Sequence, residues 1–528
     1  MPPEGATKLQ VEHSTANARP QKRAKPSGPI FERGPDLVPE KCVKCLLKLP
    51  KRLTPGAVQS NRVGLLVNGD AVAAYVSNAQ HTYEVSLDTI FAAGAGGEVA
   101  MGKEGVLVPQ AAQVGHIRQL DALSDMAAEV QSLASCVQGG HHLLAVTDAL
   151  GNARILATPL HAGASGGAAE GGAAEGSSGR HLLQLPARSR GECGWTGLVM
   201  RPSAPEEDGS AGAASSSGDG GGGGQQLPEL EVAVARQLAR DVCVYRGGQL
   251  VRSFGTAQVR GPTALTFLPS GQMMGGCGNA ASGLLAVAEE HQVALWDVRQ
   301  GERGGCVQRV NAYNGGWPLY GLAWVAGAVR DDEAGGPAGG LLAVTGAERS
   351  VVMLEPRKWH IATKWAGCVK YPATHLAPSA AAPGHVYVAG LDYECAAGRW
   401  DGSSGGAAGN ANSSSGGHGR AVLPPQLQAR GLAQEAAASG GAVAAAAAAA
   451  AAAAVLDDTE GGGRAGLSFR GDSKWLGLAH AVLPASASAS AASAGVGGAT
   501  GGRCRDLLAA LSLSGNLFVL TAGAAAEG

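Results

Sequence analysis

One unit recurs along this chain, and it restricts the fold more than any compositional figure does. Leu143-Leu144-Ala145-Val146-Thr147-Asp148 is followed, after a short Gly/Asn turn, by Ala153-Arg154-Ile155-Leu156-Ala157. The same pair returns as residues 232–235 with 241–245, 284–288 with 292–297, 341–345 with 350–354, and 507–511 with 515–520. Residues 385–389 with 391–395 are a weaker copy. Each copy is a short apolar run, a polar turn and a second apolar or alternating run, the pattern of two antiparallel strands buried between neighbouring sheets. The small residue inside the first run suits a strand where adjacent sheets approach closely. A further strand precedes the pair at residues 195–200, 264–268, 320–325 and 475–479, and another follows it at 306–310 and 359–362.

Four short antiparallel strands repeated about every 40–50 residues, once interruptions are set aside, is the period of propeller blades. The pair units count six blades, and residues 63–67 with 72–76 supply a seventh. The expected fold is therefore an all-β, seven-bladed β-propeller, within a range of six to eight. Its two termini are expected to share one blade, which removes the open sheet edges.

The interruptions are Gly/Ala/Ser tracts at about residues 162–179, 205–224, 401–463 and 485–502. Such tracts bury too little apolar surface to offset chain entropy and read as flexible insertions. They also explain why charged residues are 16% of the chain against roughly 25% in ordinary domains. The expected organisation is a disordered basic arm over residues 1–60 and a propeller over 61–528. A net charge of −2 provides no global field for nucleic acid or an anionic membrane. The local exception is the arm, where Arg19, Lys22, Arg23 and Lys25 lie among prolines, as a solvated tail or a nuclear-localisation or nucleic-acid element. No apolar secretory region follows Met1, and the Ala-rich run at 442–456 is too short and weakly apolar for a membrane span. The expected compartment is the cytoplasm or the nucleus, with thiols reduced.

At Leu295-Trp296-Asp297 the repeat resembles the WD-repeat family, whose blades end their third strand in a Trp-Asp dipeptide. The resemblance runs from about residue 60 to the end of the chain, but this copy alone carries the dipeptide; elsewhere the position holds Val244-Tyr245, Met353-Leu354 or Phe518-Val519. It implies a non-catalytic scaffold that binds other proteins. Residues 284–299 are also similar to the box by which WD-repeat substrate receptors dock on the adaptor of cullin-RING ubiquitin ligases. That similarity implies that Arg299 pairs with an acidic patch while Trp296 and Asp297 support the strand end. The competing reading is structural, because Trp-Asp followed by a basic residue is common in blades. A nuclear chromatin- or RNA-linked role is a third reading, resting on the arm.

Motifs for catalysis are weak. Gly163-Ala164-Ser165-Gly166-Gly167 matches a nucleophile elbow only by composition, since no strand-to-helix turn surrounds it. Gly276-Cys277-Gly278 precedes a strand where a phosphate-binding loop needs a helix. Arg470-Gly471-Asp472 spells an adhesion tripeptide with no secretion signal to present it. Acidic pairs such as Asp331-Asp332 and Asp457-Asp458 sit in Gly-rich sequence where burial would not tune them. Cys42 and Cys45 have the spacing of half a zinc site or of a redox pair, against a structural reading. No cofactor is implied. Trp317, Tyr320, Trp359, Trp400 and Trp475 lie near expected strand ends, where an aromatic is either blade core or a partner anchor.

Overall fold

The computed structural model describes residues 36–69, 71–92, 99–102, 105–160, 181–188, 191–202, 230–269, 283–300, 305–313, 315–329, 339–400, 466–484 and 504–525. The tracts expected at 162–179, 205–224, 401–463 and 485–502 lie outside these residues. So do the basic cluster Arg19–Lys25, the Gly163 and Gly276 motifs and the acidic pairs at 331–332 and 457–458.

The described strands form seven sheets, each with four antiparallel strands at its heart. Blade 1 comprises Val63–Asn68, Ala71–Asn78, His81–Ser86 and Ile117–Gln119. Blade 2 comprises Val130–Gln138, His141–Asp148, Ala153–Pro159 and His181–Leu185, and blade 3 Thr196–Pro202, Leu230–Arg236, Asp241–Arg246 and Gln249–Gly255. Blade 4 comprises Pro262–Phe267, Leu284–Glu289, Gln292–Asp297 and Cys306–Asn311, and blade 5 Leu319–Val329, Gly339–Gly346, Val351–Glu355 and His360–Trp365. Blade 6 comprises Ala373–Pro378, His385–Gly390, Glu394–Arg399 and Leu467–Arg470. Blade 7 takes Trp475–Leu483, Arg505–Ser512 and Asn516–Ala524 from the end of the chain. Its fourth strand is Leu37–Leu46 from the beginning, paired antiparallel from Leu37↔Ala524 to Leu46↔Asn516. The first strands touch one another in chain order, and that of blade 7 touches that of blade 1. The chain is a closed seven-bladed β-propeller.

The core consists of seven apolar clusters, one at each blade–blade interface. This accounts for the Leu-Leu-Ala-Val runs. Successive strand residues point to opposite faces, and here both faces are core: Leu143 and Ala145 pack toward blade 3, Leu144 and Val146 toward blade 1. Alanines 145, 233, 286, 343, 389 and 509, inside the second strands, are all fully buried. A larger side chain at these points would push the blades apart.

The first propeller strand begins at Leu37, inside the arm expected over residues 1–60. That strand escapes a sequence reading because Pro39, Glu40, Lys41 and Lys44 interrupt its apolar pattern, as edge strands tolerate. A segment leaving blade 1 after the short helix Asp88–Ala92 reinforces the closure. Val106–Leu107 adds in parallel to the outer strand of blade 6, and Gln110–Ala112 to the outer strand of blade 7. The segment then returns to blade 1 at Ile117–Gln119.

Val43 faces the blade 7–blade 1 core, whereas Leu46 at the end of the same strand is exposed. Val43→Asp buries a carboxylate in that seam and is expected to lower the unfolding free energy by about 3 kcal/mol or more. Leu46→Asp is expected to stay within about 0.5 kcal/mol of the unaltered chain. Chemical denaturation followed by tryptophan fluorescence measures both.

Candidate functional site

The antiparallel order of each blade gives the ring two unlike faces. Turns between second and third strands, and the crossovers from one blade to the next, emerge on one side, here called the crossover face. Connections between first and second and between third and fourth strands emerge on the other. All six internal undescribed stretches of nine or more residues (161–180, 203–229, 270–282, 330–338, 401–465 and 485–503) leave and rejoin the blades on this second face. Both chain ends meet the ring there too. On the crossover face, only residues 189–190 and 314 are undescribed.

The crossover from Leu37–Leu46 into blade 1 spans the central mouth of that face. The Ser60 carbonyl accepts from the ring of His375 in blade 6 at 2.9 Å, and its hydroxyl donates to Gln131 in blade 2 at 2.7 Å. The Gln59 carbonyl accepts from the indole of Trp195, entering blade 3, at 3.1 Å. Lys474, entering blade 7, donates to the Pro55 carbonyl at 3.2 Å, and the Asn61 side chain accepts from the Leu478 amide at 3.1 Å. Beneath the segment Arg62 is fully buried, donating to Thr54 and lying 2.8 Å from Glu129 of the blade 1–blade 2 crossover. Burial lowers the Arg62 pKa, and Glu129 acts against that. Gly56 makes the fold-back, with φ of +58° and no room for a β-carbon beside the Arg62 guanidinium. Residues 54–62 thus plug the channel on the crossover face, tied to blades on opposite sides of the ring.

The residues singled out from sequence do not converge on one site. Trp296 is buried between blades 3 and 4, stacked on Phe254 at 4.0 Å. Asp297 ends the third strand of blade 4 and accepts from the Arg299 amide, Nε and a terminal nitrogen, each at 3.0 Å. The Arg299 guanidinium holds the Asp297 carboxyl below the ordinary carboxylate range. Blade 5 repeats the device without a Trp-Asp dipeptide: Glu355 ends its third strand and accepts from Arg357 Nε at 3.0 Å. The box therefore has a structural function in closing strand ends, although half of the Arg299 side chain remains exposed on the insert-bearing face.

Trp359, half-buried, lies on that same face in the blade 5 turn, with φ of +51°. Trp317 and Tyr320 are half-buried at the crossover end of blade 5. Trp400 is buried between blades 5 and 6. Trp475 is core between blades 6 and 7, edge-on to Phe518 at 5.2 Å, its indole N–H donating to the Glu394 carbonyl at 2.9 Å.

Cys42 and Cys45 face opposite ways. Three positions apart on a strand, Cys42 packs against blade 6 beside Cys395 and Phe518, and Cys45 against blade 1 beside Leu65 and Leu517. Their spacing offered a zinc or redox reading beside a structural one, and a metal or a disulfide held by the pair needs both sulfurs on one side. Burial pushes the two thiols up to about 12 and about 11. Among the described residues no group of three or more His, Cys, Asp and Glu side chains is placed to hold a metal.

Sequence reasoning missed the densest polar cluster, at the blade 6–blade 7 interface. Fully buried Asp506 accepts from Ser379, from the Ala380 and Ala381 amides at 2.9 and 3.1 Å, from Tyr387 at 2.9 Å and from His480 at 2.9 Å. Burial acts to raise its pKa, but the hydrogen bonds from His480 and Ser379 prevail and hold it low. The residues resemble a hydrolase triad in type and differ in order. The acid sits in the centre with the hydroxyl donating to it, so His480 is not placed between Ser379 and Asp506 as a general base. The cluster pins blade 6 to blade 7. A cleft between blades 2 and 3, lined by Leu150, Glu192, Trp195, Arg236 and Leu238, has space for about one water molecule.

No protein-family model and no curated protein matches this chain. Among solved structures it is similar to Raptor from Chaetomium thermophilum, at 9% identity and a TM-score of 0.45, over 89% of this chain and 29% of that one. It is also similar to Saccharomyces cerevisiae Sqt1, at 9% identity and a TM-score of 0.43, over 92% and 100% of the two chains. A chain of the Mitotic Checkpoint Complex matches at 11% identity and a TM-score of 0.37, over 74% and 85%. This chain thus spans less than a third of the Raptor chain. The fold rests on the seven sheets themselves.

Two buried histidines make the ring acid-sensitive. Burial lowers His375 under the plug, and His142 in the blade 1–blade 2 interface, from 6.5 to about 4. Both stay neutral in the folded chain while the unfolded chain binds protons near 6.5. Their contribution is therefore complete above about pH 6.5 and lost as pH falls to about 4, roughly 3 kcal/mol each. Urea unfolding between pH 7 and pH 4 is expected to show this decline, and His375→Gln to make it shallower.

Proposed function

We propose that this chain is a divergent WD-repeat propeller acting as a non-catalytic protein-interaction scaffold in the cytoplasm or nucleus. The observation that carries this reading is how the polar interior is used. Asp506, Ser379, Tyr387 and His480 bond one another between blades. Glu231 is shared by Arg201 and Arg246 at 2.5 and 2.8 Å, and His375 holds the plug. These groups, able to do acid–base or nucleophilic chemistry, are engaged in fixing the ring, and the cleft between blades 2 and 3 has space for about one water molecule, far below the volume a small substrate fills. A rigid frame with broad faces suits macromolecular contact.

A narrower version is recruitment to a cullin-RING ubiquitin ligase through Trp296, Asp297 and Arg299. The half-exposed Arg299 favours access, but its guanidinium must exchange Asp297 for an acid on the adaptor. Arg299→Ala and Arg299→Asp separate the readings: docking requires that both lose the adaptor in a pull-down, whereas a strand-end role leaves recovery unchanged.

Affinity purification from cells, with the full chain and with a form lacking residues 401–463, tests the scaffold. The expected outcome is the same near-stoichiometric protein partner with both. A chain that stays monomeric and without a partner, or that turns over a substrate alone, overturns the reading.

A further inference from the structure

Between the closing strand and the plug, residues 47–53 cross the crossover face from the blade 7 turn to the blade 1 turn. At one end the Leu47 amide donates to the Gly515 carbonyl at 2.9 Å, and at the other Asn78 donates to the Lys51 carbonyl at 2.8 Å. Leu47, Leu49 and Leu53 pack into the blade 7–blade 1 core. That leaves Lys48, Pro50, Lys51 and Arg52 exposed. The backbone is fixed from below, and three of its four outward side chains are cations.

The fold makes no use of those three charges. The side chains of Lys48, Lys51 and Arg52 form no hydrogen bond or ion pair among the described residues. Lys474 stands beside them, half-buried, with its ammonium donating to the Pro55 and Gly56 carbonyls at 3.2 and 3.5 Å. Burial lowers its pKa, and the neighbouring Arg62 lowers it further. Cations are thus crowded at the edge of the plug.

The carboxylates packed against this stretch are already taken. Asp472 accepts from Lys44 at 2.8 Å and from Ser514 at 2.6 Å, and Glu129 lies 2.8 Å from Arg62. The adjoining turns at 78–81 and 512–516 carry no acid. Farther out, Asp121 and Asp125 share their surroundings with Arg154, which donates to the Ser124 carbonyl at 2.6 Å. On the other side Glu394 accepts from the Lys370 amide and stands opposite Arg470 in register, with Asp392 nearby. The excess stays positive across that wider circle. Such a field attracts an anion, and the fixed backbone presents it without an ordering cost.

The form of the surface selects among anions. Within residues 47–62, 78–81, 471–475 and 512–516 the one Phe, Tyr or Trp is Trp475, which is buried, so no ring is offered for stacking a nucleic-acid base. Lys474 is recessed beside the plug, where a flat layer of lipid headgroups does not reach and a narrow chain does. Lys48 to Arg52 covers at most about 14 Å, the length of four or five extended residues.

We propose that residues 48–52, together with Lys474, dock an extended protein segment rich in carboxylates. Lys48, Lys51 and Arg52 receive its acids at the surface, and Lys474 receives one at the edge of the plug. This rests on the scaffold reading and names the surface and the partner chemistry.

The test is fluorescence anisotropy of the full chain with labelled octapeptides in which Ala alternates with Glu, Gln or Lys. The Glu peptide is expected to bind and to weaken as salt is raised, with the Gln and Lys peptides weaker by about tenfold or more. Lys48→Glu, Lys51→Glu and Arg52→Glu are each expected to weaken the Glu peptide by about fivefold. Lys358→Glu, exposed on the opposite face, changes the net charge equally and is expected to leave binding unaltered. Unfolding midpoints check that the variants fold, and three separate positions keep the result readable if one fails. Absence of binding, equal binding of the Gln peptide, or equal loss with Lys358→Glu overturns the proposal. Tighter binding of oligothymidylate or of phosphatidylserine vesicles, sensitive to the same three residues, also overturns it and assigns the surface to nucleic acid or lipid. A partner complex from cells that survives both Lys48→Glu and Arg52→Glu overturns this site while the scaffold reading stands. Failure of every form to hold any partner overturns both.

Discussion

The pairing of Leu37–Leu46 with Asn516–Ala524 is the contact on which the rest of the ring depends. Each blade is covered on both faces by its neighbours, so no blade has a solvent side. Without the closing strand, blade 7 loses its fourth strand and the outer part of its cover on both sides: Cys42 from the blade 6 cluster, Val43 and Cys45 from the blade 1 cluster. The chain supports this joint from two directions. The segment after blade 1 adds strands to the outer edges of blades 6 and 7, and the crossover after the closing strand becomes the plug. The same stretch of chain thus closes the ring at its rim and fills it at its centre. Contacts joining the two ends of a chain carry a large loop-closure cost and form late, so locally paired blades are expected to precede the closed ring.

That division of labour explains how the fold tolerates so much added sequence. Blade ladders form between strands adjacent in the chain, and an insertion at a hairpin end leaves every ladder bond in place. The plug is different. It is held by His375, Trp195, Gln131 and Lys474 from four blades at once, and residues added among those crossovers would have to pass over it. Steric exclusion by the plug accounts for the centre of the crossover face. It does not reach the outer rim, where turns such as 237–240 are equally short.

Legibility in the sequence follows the range of each interaction. The strand pairs were readable because a hairpin buried on both faces writes a continuous apolar run with a polar turn inside a window of about fifteen residues. The closing strand was not, because its partner lies at the other end of the chain and its outer position admits Pro39, Lys41 and Lys44. Its Cys42 and Cys45 left a metal reading open beside the structural one, and strand geometry, with a period of two, turns the two sulfurs to opposite sides. Trp475 and Trp400 were ambiguous as anchor or core until their neighbours were known. Trp296 and Asp297 marked the right place, a third-strand end, yet the matching Glu355–Arg357 pair shows that the acid–arginine closure does not need the dipeptide. Asp506 had no signature at all, since its partners come from positions 379–387 and 480.

The two faces differ in what they offer a partner. On the insert-bearing face the third-strand ends of blades 4 and 5 are closed by short-range ion pairs, Asp297 with Arg299 and Glu355 with Arg357, whose charges are largely satisfied within two residues. Any partner there must compete with a nearby intramolecular carboxylate. On the crossover face the blade 3–blade 4 loops are held by backbone groups and by the side chains of Glu289 and Gln258, which leaves the Arg240 guanidinium outside those bonds and Arg260 only loosely engaged. Backbone bonding gives the position; the side chains retain their chemistry. A surface fixed by its main chain and uncommitted in its side chains binds at less cost in ordering and in displaced ion pairs.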